Sequence, residues 1–461
     1  MKLPSNLQLV GRFGRAGESW GDIVARVAAL LPDDPLLRDS LDSGTLIPGG
    51  QILRGAGNPK AVLFNSAVLE ARAGENPSEL AARISEWTSM GVGVGVNVTP
   101  LLDNNPTSLL DVATVVGASQ DQLWRRGLRR TATMIVVDHD VAGQRELAWA
   151  LRDRAELRHL NFGVRLSDYE LQDFNRDPSD IGHHINGLLD VALATGNPGF
   201  IFTDRVNRSS ADAPVSACNA CAEAHLYANE AIPLASINLA EAVHGAVISE
   251  DKLTQATQAG VRLLDAAIDA SAMPSVECGT EVSKGRRLGL GILGLDSAFR
   301  MLGLAYDSAE AVRVSARLAR LIGAVAKREA AELKVSRCNP ALKRRGLLAV
   351  APTGGISALW GVSSGIEPTF GENLQTEFTN IVVQTGVLFK KYPHQMHWSW
   401  HVEHLAAWQA VVDGGISKTV NLPSEADLPT ARKLIVQAWG SGAKAVSLYR
   451  DGSRPPALRA T

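Results

Sequence analysis

The sequence has no long apolar run, almost no net charge and few cysteines. No stretch of about 18 apolar residues occurs that could span a bilayer, and the N-terminal segment lacks the apolar core of a secretory signal. The 46 basic and 48 acidic residues give a formal charge of -2, which excludes a global basic field for nucleic acid or anionic membrane. Four cysteines in 461 residues are too few for a secreted disulfide scaffold. We therefore expect a cytoplasmic protein with reduced thiols and no nucleic-acid or membrane partner.

The order of candidate strands and helices predicts the α/β class. Strand candidates alternate with helical segments such as "ENPSELAARISEWTSM", and they read "GVGVGVNV", "TATMIVVDHD", "GFIFTDR" and "KAVSLYRD". The Gly-Val run should be a strand whose glycines permit close backbone contacts. The longest helix is expected to begin at Asp307, because Asp307 and Glu310 resemble a capping box. Since no Pro/Ser-rich linker divides the chain, we predict one large α/β domain after a helical N-terminal piece.

The segment "RRLGLGILGLDSAF" contains G-x-G-x-x-G at Gly289, Gly291 and Gly294, the spacing of a dinucleotide-binding fingerprint. A true fingerprint follows a strand and is followed about 20 residues later by an acidic residue that binds ribose. Here a charged turn precedes the glycines and no suitably placed acid follows them. Close packing is therefore the favoured role of these glycines.

A second motif is the run of histidines in "HQMHWSWHVEHLAAW". His397, His401 and His404 would share one face of a helix, a spacing that can ligate zinc. No convincing carboxylate or cysteine partner lies nearby in the sequence, so a hydrogen-bonded or solvated helix face is the favoured interpretation, and we predict no metal site.

A turn of small residues in "LAVAPTGGISALWGVSSGIEP" is a candidate phosphate site. Its residues are Thr353, Gly354, Gly355, Ile356 and Ser357. Backbone N–H groups and hydroxyls of such a turn can surround a phosphate, and a helix beginning there would add its dipole. The same residue types also form ordinary loops, so the turn alone does not decide between the two roles.

The stretch "SACNACAEAHL" can be interpreted in two ways. Cys218 and Cys221 form C-x-x-C, which is typical of a redox dithiol or of half a zinc site completed by His225. Asn219, Cys221 and Glu223 form N-x-C-x-E, in which an amide and a carboxylate flank a reactive cysteine. The motif alone leaves both interpretations open.

Four blocks together resemble the catalytic barrel of the ribonucleotide reductase large chain, closest to its adenosylcobalamin-dependent class II. They are "RRLGLGILGLDSAFRMLGLAYDS", "APTGGISALWGVSSGIEP", "HVEHLAAWQAVVDGGISKTVNLP" and "KAVSLYRDGSR", in the family's order. The resemblance covers roughly residues 45–454. It implies a ten-stranded α/β barrel of the ribonucleotide reductase and glycyl radical enzyme type, over residues 56–461, after a helical N-terminal region at 1–55 without an ATP cone.

The resemblance also implies roles for individual residues. Cys221 matches the cysteine that becomes a thiyl radical, with Glu223 taking the proton of a ribose hydroxyl and Asn219 fixing the hydroxyls. Asn65 and Ser66 match substrate-binding positions, and the turn at 353–357 matches the family's phosphate-binding turn. The chain lacks the glycyl-radical motif, and a lone Tyr449 stands where the form with a separate radical subunit has two tyrosines. Adenosylcobalamin is therefore the expected cofactor.

The chain departs from the family at the two cysteines that deliver electrons. "FNSAVL" places Ser66 at the first position and "IPLASINL" places Ile232 at the second, and the C-terminal segment has no cysteine. Neither serine nor isoleucine can form a disulfide. The segment from Asn97 to Arg130 also lacks the Gly-Ser-Gly-rich loop that helps the family hold substrate.

Three hypotheses follow for the function. The first is reduction of a ribonucleotide-like substrate at the 2' and 3' carbons by a non-standard electron donor, such as formate or Cys218. The second is a redox-neutral radical dehydration or epimerisation of a nucleotide or nucleoside, and the third is a non-catalytic binding subunit. The sequence leaves open whether the chain forms a homodimer.

Overall fold

The computed structural model describes most of the chain and divides it into two compact units. The described residues are 1–103, 106–128, 131–176, 179–208, 210, 213–336, 345–369 and 393–453. The first unit comprises Met1–Asn65, Ala231–Met396 and Glu403–Ser417. The second unit comprises Ser66–Glu230, His397–Val402 and Lys418–Thr461.

Strands and helices alternate along much of the chain. The strands are β1 (Leu46–Pro48), β2 (Ser66–Glu70), β3 (Gly93–Asn97), β4 (Thr133–Asp138), β5 (Leu160–Leu166), β6 (Gly199–Phe202), β7 (Ala217–Cys218), β8 (His225–Leu226), β9 (Ala231–Ile232), β10 (Leu234–Asn238), β11 (Val243–His244), β12 (Val247–Ile248), β13 (Gly289–Leu293), β14 (Thr419–Leu422) and β15 (Ala445–Arg450). Among the described residues the α-helices are α1 (Trp20–Ala28), α2 (Pro35–Ser43), α3 (Gly50–Gly55), α4 (Pro77–Ser89), α5 (Thr99–Leu102), α6 (Leu109–Arg125), α7 (Gln144–Asp153), α8 (Asp168–Arg176), α9 (Asp180–Thr195), α10 (Thr203–Asn207), α11 (Glu250–Ala270), α12 (Val276–Gly285), α13 (Leu295–Met301), α14 (Ala309–Ser336), α15 (Gly354–Trp360), α16 (Trp398–Gln409) and α17 (Leu428–Gly440).

A mixed sheet forms the centre of the second unit. Its strands lie in the spatial order β14, β15, β6, β5, β4, β3 and β2. Neighbouring strands run parallel except at the junction of β15 and β6, which is antiparallel. Strand β4 is buried along almost its whole length, as expected for a parallel strand covered on both faces. The four strand candidates named from the sequence correspond to β3, β4, β6 and β15, so these predictions are confirmed.

The first unit contains a smaller sheet. Strand β10 pairs antiparallel with β1 and parallel with β13. Isolated parallel bridges continue from Leu290 to Leu348 and from Val350 to Ile416. Long helices accompany this sheet, and α11 buries a stripe that includes Leu253, Leu263 and Leu264.

The start of the longest described helix differs from the prediction. Helix α14 begins at Ala309 rather than at Asp307. The Ser308 hydroxyl accepts the N–H of Ala311 at 3.2 Å and so caps the first turn. Glu310 instead pairs with Arg313 on the helix surface. The predicted capping box of Asp307 and Glu310 is therefore wrong, because a serine one position before the helix fills the cap.

Both units combine helices with sheets, so the predicted α/β class is confirmed. The boundary between residues 55 and 56 and the count of ten strands stay predictions. Among the described helices, none combines the length and the apolar character needed to cross a membrane.

Candidate radical site on a buried hairpin

Cys221 lies in the turn of a short antiparallel hairpin in the second unit. Strands β7 and β8 pair so that Cys218 is opposite His225. Across the turn, the N–H of Asn219 donates to the carbonyl of Ala224 at 3.0 Å, and the N–H of Ala222 donates to the carbonyl of Asn219 at 3.1 Å. Ala222 has a left-handed φ of 61°, a conformation with a steric cost for a residue other than glycine. These contacts fix the backbone on both sides of Cys221.

The Asn219 side chain connects the turn to strand β2. Its Nδ2 donates to the Ser66 hydroxyl at 2.8 Å and to Glu223 Oε1 at 2.7 Å. Its Oδ1 accepts the N–H of Ala224 at 3.1 Å. Asn219, Glu223 and Ser66 are all buried. Three residues predicted from the sequence therefore form one hydrogen-bonded cluster, with Cys221 in the same turn.

Glu223 is a buried carboxyl group with one unsatisfied oxygen. Burial raises its pKa to about 7, although hydrogen bonding from the backbone, from Asn219 and from Ser66 lowers it. Within the part of the chain that the structure describes, no hydrogen-bond partner is present for its Oε2. A buried acceptor of this kind is expected to bind a donor such as water or a ligand hydroxyl. With a pKa near neutrality, Glu223 can both accept and return a proton.

The two hairpin cysteines differ in exposure. Cys218 is fully buried, whereas Cys221 is only half-buried. Burial, together with the negative charge of Glu223, raises the pKa of Cys218 to about 12 and raises the pKa of Cys221 above its usual range. Both thiols therefore keep their protons at neutral pH. A protonated thiol suits hydrogen-atom transfer better than nucleophilic attack or metal binding, which need the thiolate.

The zinc alternative requires Cys218, Cys221 and His225 to act as one group. Among the residues that the structure describes, no set of three or more His, Cys, Asp or Glu side chains is arranged to hold a metal ion. Cys278 is buried in helix α12, and Cys338 lies outside the described residues.

The hairpin packs closely against strand β3. A Cβ atom at Gly95 would lie 1.7 Å from the carbonyl oxygen of Cys218 and 3.1 Å from Asn219 Cα. No side chain larger than hydrogen fits in that space. The predicted close backbone contact at a glycine of the Gly-Val run is confirmed at this position.

Asn65 lies in the first unit and makes structural contacts there. Its Oδ1 accepts the N–H of Leu234 at 3.1 Å, and its backbone N–H donates to the carbonyl of Ile232 at 3.0 Å. The contact with Gly49 is so close that a Cβ there would lie 2.6 Å from Asn65 Oδ1. Substrate binding by Asn65 stays a prediction, as does substrate binding by Ser66.

The predicted phosphate turn lies at the start of helix α15 in the first unit. Gly354 and Gly355 are exposed there, whereas Ile356 and Ser357 are buried. The Thr353 hydroxyl accepts the N–H of Gly365 at 2.9 Å, and the Ser357 hydroxyl donates to the Thr353 carbonyl at 2.8 Å. Both hydroxyls thus take part in internal hydrogen bonds. Exposed backbone N–H groups are what this turn offers to a ligand, and phosphate binding stays a prediction.

The glycines of G-x-G-x-x-G have a packing role. A Cβ at Gly289 would lie 2.3 Å from Leu234 Cδ2, and one at Gly291 would lie 2.4 Å from the carbonyl of Ala349. Gly294 has a left-handed φ of 78° and precedes helix α13. The interpretation as close packing is confirmed.

The helix histidines have hydrogen-bonding partners. His404 is buried with Nδ1 2.9 Å from the Ser315 hydroxyl and Nε2 2.9 Å from the Tyr306 carbonyl. His401 is buried with Nδ1 2.9 Å from Lys418 Nζ. These contacts agree with the favoured interpretation of a hydrogen-bonded helix.

One residue near the turn was not predicted from the sequence. Asn161 in β5 donates from Nδ2 to the carbonyl of Ala220 at 2.7 Å. The signal was the alternation in "LNFGVRL", where Asn161 and Arg165 are polar positions of an otherwise apolar strand. In a strand, such positions project from the same face.

The family model for the ribonucleotide reductase barrel domain matches residues 181–341 and 372–449, just over half of the chain. The chain belongs to this family. The matched segments include the hairpin with Cys221, and the predicted resemblance is confirmed.

Curated relatives are similar over longer segments. A protein of Mycobacterium tuberculosis named vitamin B12-dependent ribonucleoside-diphosphate reductase is 29% identical over 401 residues, covering 71% of this chain and 57% of its own length. A protein of the same name from Thermoplasma acidophilum is 28% identical over 324 residues, covering 58% of this chain and 42% of its own length. The chain thus spans roughly half the length of these curated relatives.

A solved structure has the same fold. The class Id ribonucleotide reductase alpha subunit of Actinobacillus ureae superposes with a TM-score of 0.82, covering 98% of this chain and 99% of its own. Sequence identity is 15%, so this likeness concerns the fold. It confirms the predicted fold class.

Proposed function

We propose that this protein is an adenosylcobalamin-dependent thiyl-radical enzyme that acts on a ribonucleotide-like substrate at its 2' and 3' carbons. The observation that supports this most directly is a buried cluster in which Asn219 bonds both Glu223, in the same turn as the half-buried Cys221, and Ser66 of strand β2. A hydrogen-atom donor, a proton acceptor and an amide on one rigid turn can act together on one face of a sugar. The net reaction we favour is reduction by a non-standard electron donor.

The cofactor assignment is supported by the names of the curated relatives, which are vitamin B12-dependent reductases. The residues of this chain fit such a cofactor, because Cys221 is a protonated thiol that remains partly accessible beside buried neighbours. When bound, adenosylcobalamin supplies the acceptor for the hydrogen atom of the Cys221 thiol. The role of Cys221 itself is to take a hydrogen atom from the substrate and to return a hydrogen atom to it at the end of the reaction.

The other residues position the substrate and move its protons. Glu223 Oε2 is the unsatisfied acceptor that would take the proton of the 3' hydroxyl, and Asn219 would orient the neighbouring hydroxyl. The exposed backbone of Gly354 and Gly355 would bind phosphate, with Thr353, Ile356 and Ser357 holding the shape of the turn. Asn65 and Ser66 are the other residues that we propose to bind substrate.

The source of electrons distinguishes the two catalytic hypotheses. Reduction of one ribonucleotide requires two electrons, and Ser66 and Ile232 cannot supply them through a disulfide. An external donor such as formate, which is oxidised to carbon dioxide, would balance the reaction. The presence of a serine instead of a cysteine at position 66, bonded to Asn219, favours a second candidate, radical dehydration to a 3'-keto-2'-deoxy product, which needs no electrons. A non-catalytic binding role stays a further alternative for the function. Assembly into a homodimer stays a separate prediction.

The test is release of tritium to water from adenosylcobalamin labelled at its 5' carbon, with a panel of ribonucleotides. Cys221→Ser should reduce this release to background, because a hydroxyl is a far poorer hydrogen-atom donor than a thiol. Cys278→Ser is the matched control and should retain the wild-type rate, since Cys278 is buried in helix α12. Product analysis with and without formate then separates reduction from dehydration. Substantial release by Cys221→Ser would refute the proposal.

A further inference from the structure

The peptide group that contains the Cys221 nitrogen is held by a side chain from β5. Asn161 Nδ2 donates to the carbonyl oxygen of Ala220 at 2.7 Å. The Ala220 carbonyl and the Cys221 nitrogen belong to the same planar peptide group. Asn161 therefore restricts rotation of the plane from which Cys221 projects.

A second side chain of the same strand contacts the hairpin further from the turn. Arg165 lies four positions after Asn161 and so projects from the same face of β5. Its Nη1 is 3.5 Å from the carbonyl of Ser216, and its Nε is 3.3 Å from Asp138 Oδ1. The two strand residues contact the carbonyls of Ser216 and Ala220. The carbonyl of Cys218, which lies between these two in the chain, is contacted by backbone of the sheet and not by a side chain.

That middle contact is made by Gly95 of β3 with Cys218. The contacted carbonyls belong to residues 216, 218 and 220, which all precede Cys221 on the first side of the hairpin. The backbone leading to Cys221 is thus held at three successive points, and Asn161 provides the contact nearest to the thiol.

We propose that Asn161 is a positioning residue for Cys221. This inference rests on the proposed function, in which the sulfur must stay close to both the hydrogen acceptor and the sugar. Errors of about 1 Å in such a geometry reduce rates by about two orders of magnitude. The bond from Asn161 is to the backbone carbonyl of Ala220, so Asn161 acts through the backbone of the turn.

The test measures alkylation of Cys221 by iodoacetamide in the folded, cofactor-free full chain, with peptide mass spectrometry to resolve each cysteine. Asn161→Ala removes the donor to Ala220, and Asn161→Asp keeps the side-chain volume while replacing the N–H donor with a carboxylate oxygen. Both should increase the alkylation rate of Cys221 by about fivefold, as expected when a net hydrogen bond of about 1 kcal/mol is lost. Asn186→Ala is the matched control, because Asn186 bonds Arg432 on the helical side of the same unit.

Cys218 and Cys278 serve as internal references, since both are buried. Their rates should not change in Asn161→Asp, which keeps the packing even if Asn161→Ala fails to fold. An unchanged Cys221 rate in Asn161→Asp would overturn the proposal. So would a rate that rises equally for all three cysteines in that variant, because it would show general unfolding rather than loss of one contact.

A second readout uses the enzyme with its cofactor and a ribonucleotide. Asn161→Asp should lower kcat for tritium release by at least tenfold and leave KM for the nucleotide within about twofold, because the phosphate turn is unaltered. If wild type releases no tritium, the proposed function fails, yet the alkylation comparison still decides whether Asn161 holds the Cys221 turn.

Discussion

Asn219 Nδ2 donates a hydrogen bond to the hydroxyl oxygen of Ser66 over 2.8 Å. Ser66 stands where the family resemblance predicts a cysteine that delivers electrons. A hydroxyl accepts the bond from Asn219 well but cannot form a disulfide. On this resemblance, the residue that bonds the amide of the turn also replaces one of the two cysteines of the usual pair.

The buried carboxyl of Glu223 should make stability depend on pH. Burial raises its pKa from 4.5 to about 7, so the folded protein binds this proton more tightly than the unfolded chain does. The resulting stabilisation is fully present below about pH 4.5 and is lost as the pH rises through about 7. Glu223→Gln cannot ionise. Its free energy of unfolding relative to wild type should therefore increase by on the order of 3 kcal/mol as the pH rises from 5 to 8.

Apparent Tm values of the two proteins at pH 5 and pH 8 check this prediction. Glu86→Gln is the control for the substitution itself, because Glu86 is an exposed carboxylate in helix α4. A Glu223→Gln difference that does not grow with pH would contradict the burial effect.

Cysteines introduced at positions 66 and 232, where the chain differs from the family, should create dithiol-driven reduction. In Ser66→Cys with Ile232→Cys, deoxynucleotide formation in the presence of dithiothreitol should rise by about tenfold or more over wild type, because two thiols can supply two electrons. Ile232 is fully buried, so its truncation should also cost stability, roughly 1–3 kcal/mol. Ser66→Cys alone is the control and should show no gain, since one thiol cannot complete a disulfide; equal rates in the single and double variants would argue against the assignment.

The sequence predicted those features that depend on local patterns. Strand β4 and the Gly-Val strand were evident because buried parallel strands are apolar runs. Asn219 and Glu223 were identified from the N-x-C-x-E motif and the family resemblance, and they are bonded to each other in the turn. Local pattern failed at Asp307, where Ser308 caps the helix instead.

The partners of the turn were not predictable from sequence. Ser66 lies 153 residues from Asn219, and Asn161 lies 59 residues from Ala220. Such contacts depend on strand order and register, which one sequence does not specify. A single polar residue in an apolar strand indicates that its side chain forms a hydrogen bond with a distant segment, but it does not indicate which residue is the partner.

The phosphate role of the turn at 353–357 can be tested by adding charge at its exposed tip. A Cβ at Gly354 would meet no atom within 4 Å, so a larger side chain fits there. Gly354→Asp should raise KM for a nucleotide by about tenfold with little change in kcat, because the added carboxylate repels phosphate at close range. Gly354→Ala adds bulk without charge and should leave KM unchanged; a similar rise in both variants would indicate a steric effect.

Gly95 should tolerate no side chain, because the hairpin carbonyl of Cys218 occupies the space of its Cβ. Relief of a contact at 1.7 Å requires movement of the hairpin or of β3, so Gly95→Ala should destabilise the protein by about 2–4 kcal/mol. It should also displace the Cys221 turn and reduce tritium release by at least tenfold. Gly440→Ala is the control, since a Cβ at this last residue of helix α17 meets no atom within 4 Å. Thermal unfolding and tritium release of the two variants check the prediction, and a Gly95→Ala protein with wild-type Tm and rate would show that the hairpin does not pack on β3 as described.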